Sequence, residues 1–242
     1  MFFGNGINPK VINGLFILLI LFSLASMTNE EWIAILITLP AVIISITFHE
    51  YAHAAMAVHF GDNTPKAEGR LTLNPIKHFE WFGFIMLMFT HIGWGKPVKV
   101  NSNSFTSNKS NSYCESMVAL AGPMMNFILA IIFEIIAVAI SIFVERTTIT
   151  IYLYNMCAVG SMMNIGMGIF NLIPIYPLDG EKIFRNFLPA KWKMAIQNNY
   201  ATISFVFLFL WVVGILGRLV SPIINVVYSG LEFVILKVFS IF

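Results

Sequence analysis

The sequence predicts an all-α polytopic membrane protein of about six transmembrane helices. Three observations carry that reading. Of 242 residues, 58% are hydrophobic and 11% charged, against about 25% charged in a typical soluble domain. The mean hydropathy is +0.81, which means more apolar surface than one aqueous core can hide. The apolar segments run well beyond about 17 residues without the alternation of a barrel strand, and a helical span needs about 20. A short membrane-associated segment, β-like or re-entrant, is predicted between the second and third spans.

Taken in order, residues 1–10 lead into a first span at 11–28. Lys10 and the Ser23-Leu24-Ala25-Ser26 stretch give this run some likeness to a signal peptide. Its length and the closeness of the next span favour a retained helix. Thr28-Asn29-Glu30-Glu31 is a tight acidic turn before a second span at 32–58, where Pro40 is tolerable in a membrane helix. Residues 59–111 are the long hydrophilic stretch. Alternation at 70–75 and 96–101 predicts strands. The apolar run at 81–92 is too short to cross and suits a re-entrant or interfacial piece. Further spans are predicted at 113–144, 150–170, 200–217 and 222–242. Pro174 and Pro177 break the chain after the fourth. The whole of 1–242 reads as one membrane domain with its core at 32–190 and no appended soluble domain.

Orientation follows from the basic residues. With six spans, twelve of the fourteen Lys and Arg fall on one side, and Arg146 and Arg218 on the other. The basic side is predicted to be cytoplasmic, with both termini there, in a prokaryotic cell membrane. The second and fourth spans then end at the same cytoplasmic level. The net charge of +2 comes without a basic patch interleaved with aromatics, so nucleic acid is not an expected partner. Cys114 and Cys157 are too few for a disulfide framework and read as buried thiols.

His49-Glu50-Tyr51-Ala52-His53 closes the second span. Histidines four apart lie on one helix face and can reach one tetrahedral zinc. Glu50 stands where a carboxylate can take a proton from water at the metal. Uncoordinated, these groups at the end of an apolar run would cost several kcal/mol. The bland alternative is two interfacial histidines and a snorkelling glutamate. A catalytic zinc site needs a third protein ligand. Asp179 lies in the Pro-broken segment at the depth of the histidines. Its alternative is an Asp-Gly turn capping the next helix.

His49-Glu50-x-x-His53, Gly122-Pro123-x-x-Asn126 and Asn171-x-x-Pro174-x-x-Pro177-x-Asp179-Gly180 together resemble the site-2 protease family of intramembrane zinc metalloproteases. Gly69-Arg70-Leu71-Thr72-Leu73-Asn74-Pro75 and Gly93-Trp94-Gly95-Lys96-Pro97-Val98 are similar to its compact bacterial and archaeal branch. The match covers roughly residues 40–190, with no PDZ-like insert or nucleotide-sensing domain. The resemblance implies one zinc held by His49, His53 and Asp179, with Glu50 as general base. It implies cleavage within or near a transmembrane segment of a protein substrate, a single-span one, at the cytosolic face of the bilayer. It also implies that Asn171 and Asn126 contact the substrate or the transition state. For Asn171 a helix C-cap is the competing role. The strand-like parts of 59–111 would receive a substrate strand or fold on themselves. Two other readings remain at this stage. One is a zinc-binding membrane protein without hydrolysis, such as a pseudo-protease or transporter. The other is a membrane protease of different ligand set, acting on prenylated tails.

Overall fold

Thr28 and Glu31 define where the first long helix begins. The Thr28 side chain accepts from the Glu31 N–H, and the Glu31 carboxylate accepts from the Thr28 N–H at 2.7 Å, a reciprocal cap. The computed structural model describes residues 25–80, 83 and 95–241. Its helices are α1 (Asn29–His59), α2 (Thr64–Ala67), α3 (Asn111–Phe143), α4 (Thr148–Asn171), α5 (Asp179–Arg185), α6 (Ala190–Asn198), α7 (Tyr200–Val212) and α8 (Ile215–Phe239). Ser110 caps α3 and Thr147 caps α4 through the Thr150 N–H.

The core is the three-helix unit α1, α3 and α4. Ala41, Leu129, Phe133, Ala137 and Cys157 form its buried cluster, flanked by Ile44, Phe48 and Tyr154. Small residues such as Ala41 and Ala137 let the helix backbones approach closely, as packing between membrane helices requires. Cys114 and Cys157 are both free and buried. α8 leans on α3 and α4 and turns most of its apolar surface outward.

Among the described residues, α1, α3 and α8 are long and apolar enough to cross a membrane. α4 has the length, with 24 residues, but Asn155, Asn164 and several glycines lower its hydropathy. The predicted fifth span at 200–217 divides between α7, of 13 residues, and the start of α8; α7 meets α6 at a 70° bend, and the two together are long and apolar enough to cross as one broken span. The sixth helix begins before the predicted 222, because Gly214 turns the chain at φ +76° and Pro222 is carried inside α8. The first span at 11–28, except its last four residues, and the re-entrant run at 81–92, except Gly83, lie outside the described residues.

The strand prediction is corrected. Among the described residues there is no strand, and 59–111 shows one isolated antiparallel bridge, Phe79 to Gly95. Pro75–Lys77 is a 3-10 turn capped by Asn74. The physical reason is Arg70, which is 4% exposed. Its guanidinium donates to Lys77 O and Lys96 O, and Lys96 lies in the second predicted strand.

Candidate metal centre

α1 sets His49 and His53 one turn apart, with ring centroids 4.6 Å apart and planes at 85°. Their Nε2 atoms are 3.0 Å apart. Asp179 Oδ2 lies 3.3 Å from His49 Nε2 and 3.2 Å from His53 Nε2. Both histidines are buried and Asp179 is nearly so. Residues over a hundred positions apart thus place three ligand atoms in one small triangle.

The turn after α4 delivers Asp179. Leu172 N–H closes the helix on Gly168 O, and Leu178 N–H donates to Ile175 O at 2.9 Å as the chain reverses. α5 starts at Asp179. A Cβ on Gly180 would lie 2.3 Å from Ile173 O and 2.4 Å from Leu172 O. Glycine here lets the start of α5 press against the preceding turn. Asn186, just past α5, donates to Ser112 O and Ser116 Oγ, both at 2.8 Å. Arg185 adds ion pairs to Glu115 and Glu181 at 3.6 Å. α5 is therefore fixed to the start of α3, and Asp179 with it.

α3 closes the other side. His53 Nδ1 donates to Val118 O at 2.7 Å, and His49 Nδ1 meets Asn126 Oδ1 at 2.6 Å. A Cβ on Gly122 would stand 2.3 Å from His53 Nε2 and 2.7 Å from His49 Cε1. The helix can pass this close only without a side chain. Burial acts to raise the Asp179 carboxyl, but the His53 and His49 rings outweigh it and hold the group below the usual carboxylate range.

Two imidazole nitrogens and one carboxylate oxygen form a zinc-type donor set. Tetrahedral zinc with bonds of about 2.0–2.1 Å has ligand atoms about 3.3 Å apart. The triangle edges of 3.0, 3.2 and 3.3 Å match one face of that tetrahedron. The outer ring nitrogens are both held, as ligand histidines require.

Glu50 Oε2 accepts from the Val98 N–H at 2.9 Å. The 95–98 segment that supplies this donor is itself anchored, since Lys96 N–H donates to His78 O at 2.8 Å and Arg70 holds Lys96 O. His78 is fully buried. Its Nε2 donates to Thr72 O at 2.7 Å, and burial pushes the imidazole below its ordinary pKa. Arg70 and His78 therefore build the wall beside Glu50.

The two asparagines have different partners. Asn126 is 0% exposed, with Oδ1 facing His49 and Nδ2 donating to Asn164 at 2.8 Å. Both ends of its amide are thus engaged, one by His49 and one by Asn164. Asn171 ends α4, with Nδ2 donating to Met167 O at 3.0 Å. Sequence reasoning missed Asn164 and Ser45. Their only signal was a polar side chain inside an apolar helix, with Ser45 one turn before His49.

Comparison with known proteins agrees with this chemistry. The model of peptidase family M50 matches residues 37–149 and 136–214. The Bacillus subtilis protein YwhC, named as a zinc metalloprotease, is 36% identical over 203 residues, 82% of this chain and 89% of that protein. A zinc metalloprotease of Methanocaldococcus jannaschii is 26% identical over 175 residues, 72% of this chain and 40% of its own length. The Mycolicibacterium smegmatis protein Rip2, also named as a zinc metalloprotease, is 33% identical over 96 residues, 37% of this chain and 35% of that protein. No solved structure gives a significant match.

Proposed function

The chain belongs to peptidase family M50, and on that premise we propose that it is an intramembrane zinc metalloprotease. Its substrate would be a single-span membrane protein, cut within or near its transmembrane segment. The observation that carries this reading is the His49–His53–Asp179 triangle with Glu50 beside it. Proteases of this family are membrane proteins, in keeping with the long apolar helices α1, α3 and α8.

His49, His53 and Asp179 would hold one zinc, which when bound would polarise the scissile carbonyl and lower the pKa of water. Glu50 is the general base. The Val98 N–H anchors Oε2, and the carboxylate takes a proton from the attacking water. It later returns that proton to the leaving amine. Asn171, at the end of α4, turns its amide from Met167 O to the developing oxyanion. A substrate helix must unwind to be cut, and its freed backbone groups then need partners. The irregular 95–100 segment beside Glu50 would supply them from its remaining backbone groups. The chain is multi-pass in a prokaryotic cell membrane. The end of α1 and the start of α5 that carry the triangle face the cytoplasm, and both termini lie on that side. The excess of Lys and Arg there supports this orientation.

Co-expression with candidate single-span proteins, read by product mass, tests the reading. Wild type should yield a product ending at a bond in or near the membrane. Glu50→Gln should keep zinc and lose about 10²–10⁴-fold in rate. Full activity in Glu50→Gln would overturn it.

A further inference from the structure

The interior between α1, α3 and α4 holds a chain of polar side chains that ends on His49. Ser45 Oγ donates to Ala41 O at 2.6 Å. A carbonyl only accepts, so this bond fixes the Ser45 proton. Ser45 Oγ is then an acceptor for Asn164 Nδ2 at 2.7 Å. The same Nδ2 donates to Gly160 O at 2.8 Å, a contact that only the NH₂ end of an amide can make. The Asn164 amide is thereby oriented, with Oδ1 toward Asn126. Asn126 Nδ2 donates to that oxygen at 2.8 Å, which leaves Asn126 Oδ1 facing His49 Nδ1 at 2.6 Å. An acceptor there requires the proton on Nδ1. The His49 lone pair is then on Nε2, the atom 3.3 Å from Asp179 Oδ2. Ser45, Asn126 and Asn164 are all 0% exposed, so water does not compete for these bonds.

We infer that Asn164 and Ser45, acting through Asn126, are positioning residues that set the tautomer and ring orientation of His49 for metal binding. The inference rests on the metal-binding reading of the triangle and adds to it residues that touch neither metal nor substrate. The two ligand histidines are set by different means. His53 Nδ1 is fixed by one backbone carbonyl, Val118 O. His49 depends on side chains from three helices. Its readiness to bind metal is therefore coupled to the packing of α1, α3 and α4 in a way that His53's is not.

The test is zinc affinity of the purified full chain in detergent, measured by chelator competition. Asn164→Leu keeps the branching of the side chain but offers no acceptor to Asn126. It should weaken zinc by about 10–100-fold, the usual cost of losing support behind a ligand. Asn164→Asp, neutral when so buried, still accepts from Asn126 and donates to Gly160 O or Ser45. It should stay within about 3-fold of wild type. Asp also matches Asn in volume more closely than Leu does, so the order alone does not exclude packing; histidine ¹⁵N shifts do, because a packing role would leave the His49 tautomer unchanged. Ser45→Ala, a change too small to threaten folding, should lose roughly 2–10-fold. Histidine ¹⁵N shifts of the metal-free protein add a readout independent of zinc: His49 protonated at Nδ1 in wild type, mixed in Asn164→Leu. Wild-type affinity and tautomer in both Asn164→Leu and Ser45→Ala would overturn the inference, as would equal losses in the Leu and Asp variants. Tight zinc with the predicted order but no cleavage of any substrate would support the relay and sink the protease reading instead.

Discussion

The same three helices bury two polar clusters, and they are built differently. At the end where α1 and α4 finish, Ser45, Asn164, Asn126 and His49 are each bonded to the next. Further along α3 and α4, Glu134 and Ser161 are buried at 2% and 0% exposure, near Tyr228 and Glu232 of α8. There Ser161 and Tyr228 face the Glu134 carboxyl, but Glu134 Oε2 and Ser161 Oγ close no bond of good hydrogen-bond geometry among the described residues. A paired polar group in an apolar interior adds specificity, whereas an unpaired one is a cost of about 1–3 kcal/mol. The comparison separates a polar cluster organised for a ligand from one that the helices merely carry. Substitutions at the first should change metal binding, and substitutions at the second should change stability alone.

Gly122→Ala should have the largest effect. The added methyl would stand 2.3 Å from His53 Nε2, so α3 or the imidazole must move. Overpacking of this kind costs about 1–3 kcal/mol, and here the strain falls on the ligand itself. Zinc affinity should drop by at least about 10-fold while the helical content holds. An alanine variant that binds zinc like wild type would show that α3 stands further from the histidines.

How much of this was legible in the sequence depends on what each feature needs. His49 and His53 need only the helical period. Asp179 needed one further step, the matching of membrane depth from charge counts, because its partners are over a hundred residues away. α1, α3 and α4 begin within about three residues of their predicted starts because caps such as Thr28 and Thr147 are local signals. Asn164 and Ser45 were not legible in the same way. α1 and α4 are apolar nearly all round, so no stripe indicates which face meets which neighbour. The rotation that brings Asn164 to Asn126 is a product of packing. The end of α7 was hidden for a related reason: 200–217 is apolar throughout, and only the backbone turn at Gly214 marks the break. In 59–111 the alternation was real, but Arg70 took the Lys96 carbonyl of the second predicted strand.

Glu134→Gln probes the second cluster at intermediate strength. An amide has the shape of the carboxyl, carries no charge and brings two donors toward Ser161 and Tyr228. Removing an ionisable group from a membrane interior relieves part of a cost of several kcal/mol. The melting temperature in detergent should rise by about 2–4 °C for each kcal/mol gained, with zinc affinity and cleavage unchanged. Loss of either would move Glu134 into the functional machinery and dissolve the contrast between the clusters.

The smallest effect, and the sharpest contrast, belongs to Ser161→Ala set beside Ser45→Ala. The residue type, the substitution and the helical core are the same. Ser45 Oγ donates to Ala41 O and accepts from Asn164. Ser161 Oγ, equally buried, does neither. Deleting a bonded hydroxyl strands its partner, whereas deleting an unbonded one removes a desolvation cost and leaves a gap of one atom. Ser161→Ala should therefore be neutral or stabilising by up to about 1 kcal/mol, seen as a melting temperature equal to or above wild type, with zinc binding untouched. Ser45→Ala should move zinc affinity in the unfavourable direction. If both alanines shift zinc affinity alike, the hydrogen-bond chain is not what distinguishes the two ends of the core. The difference would then lie in packing around α4.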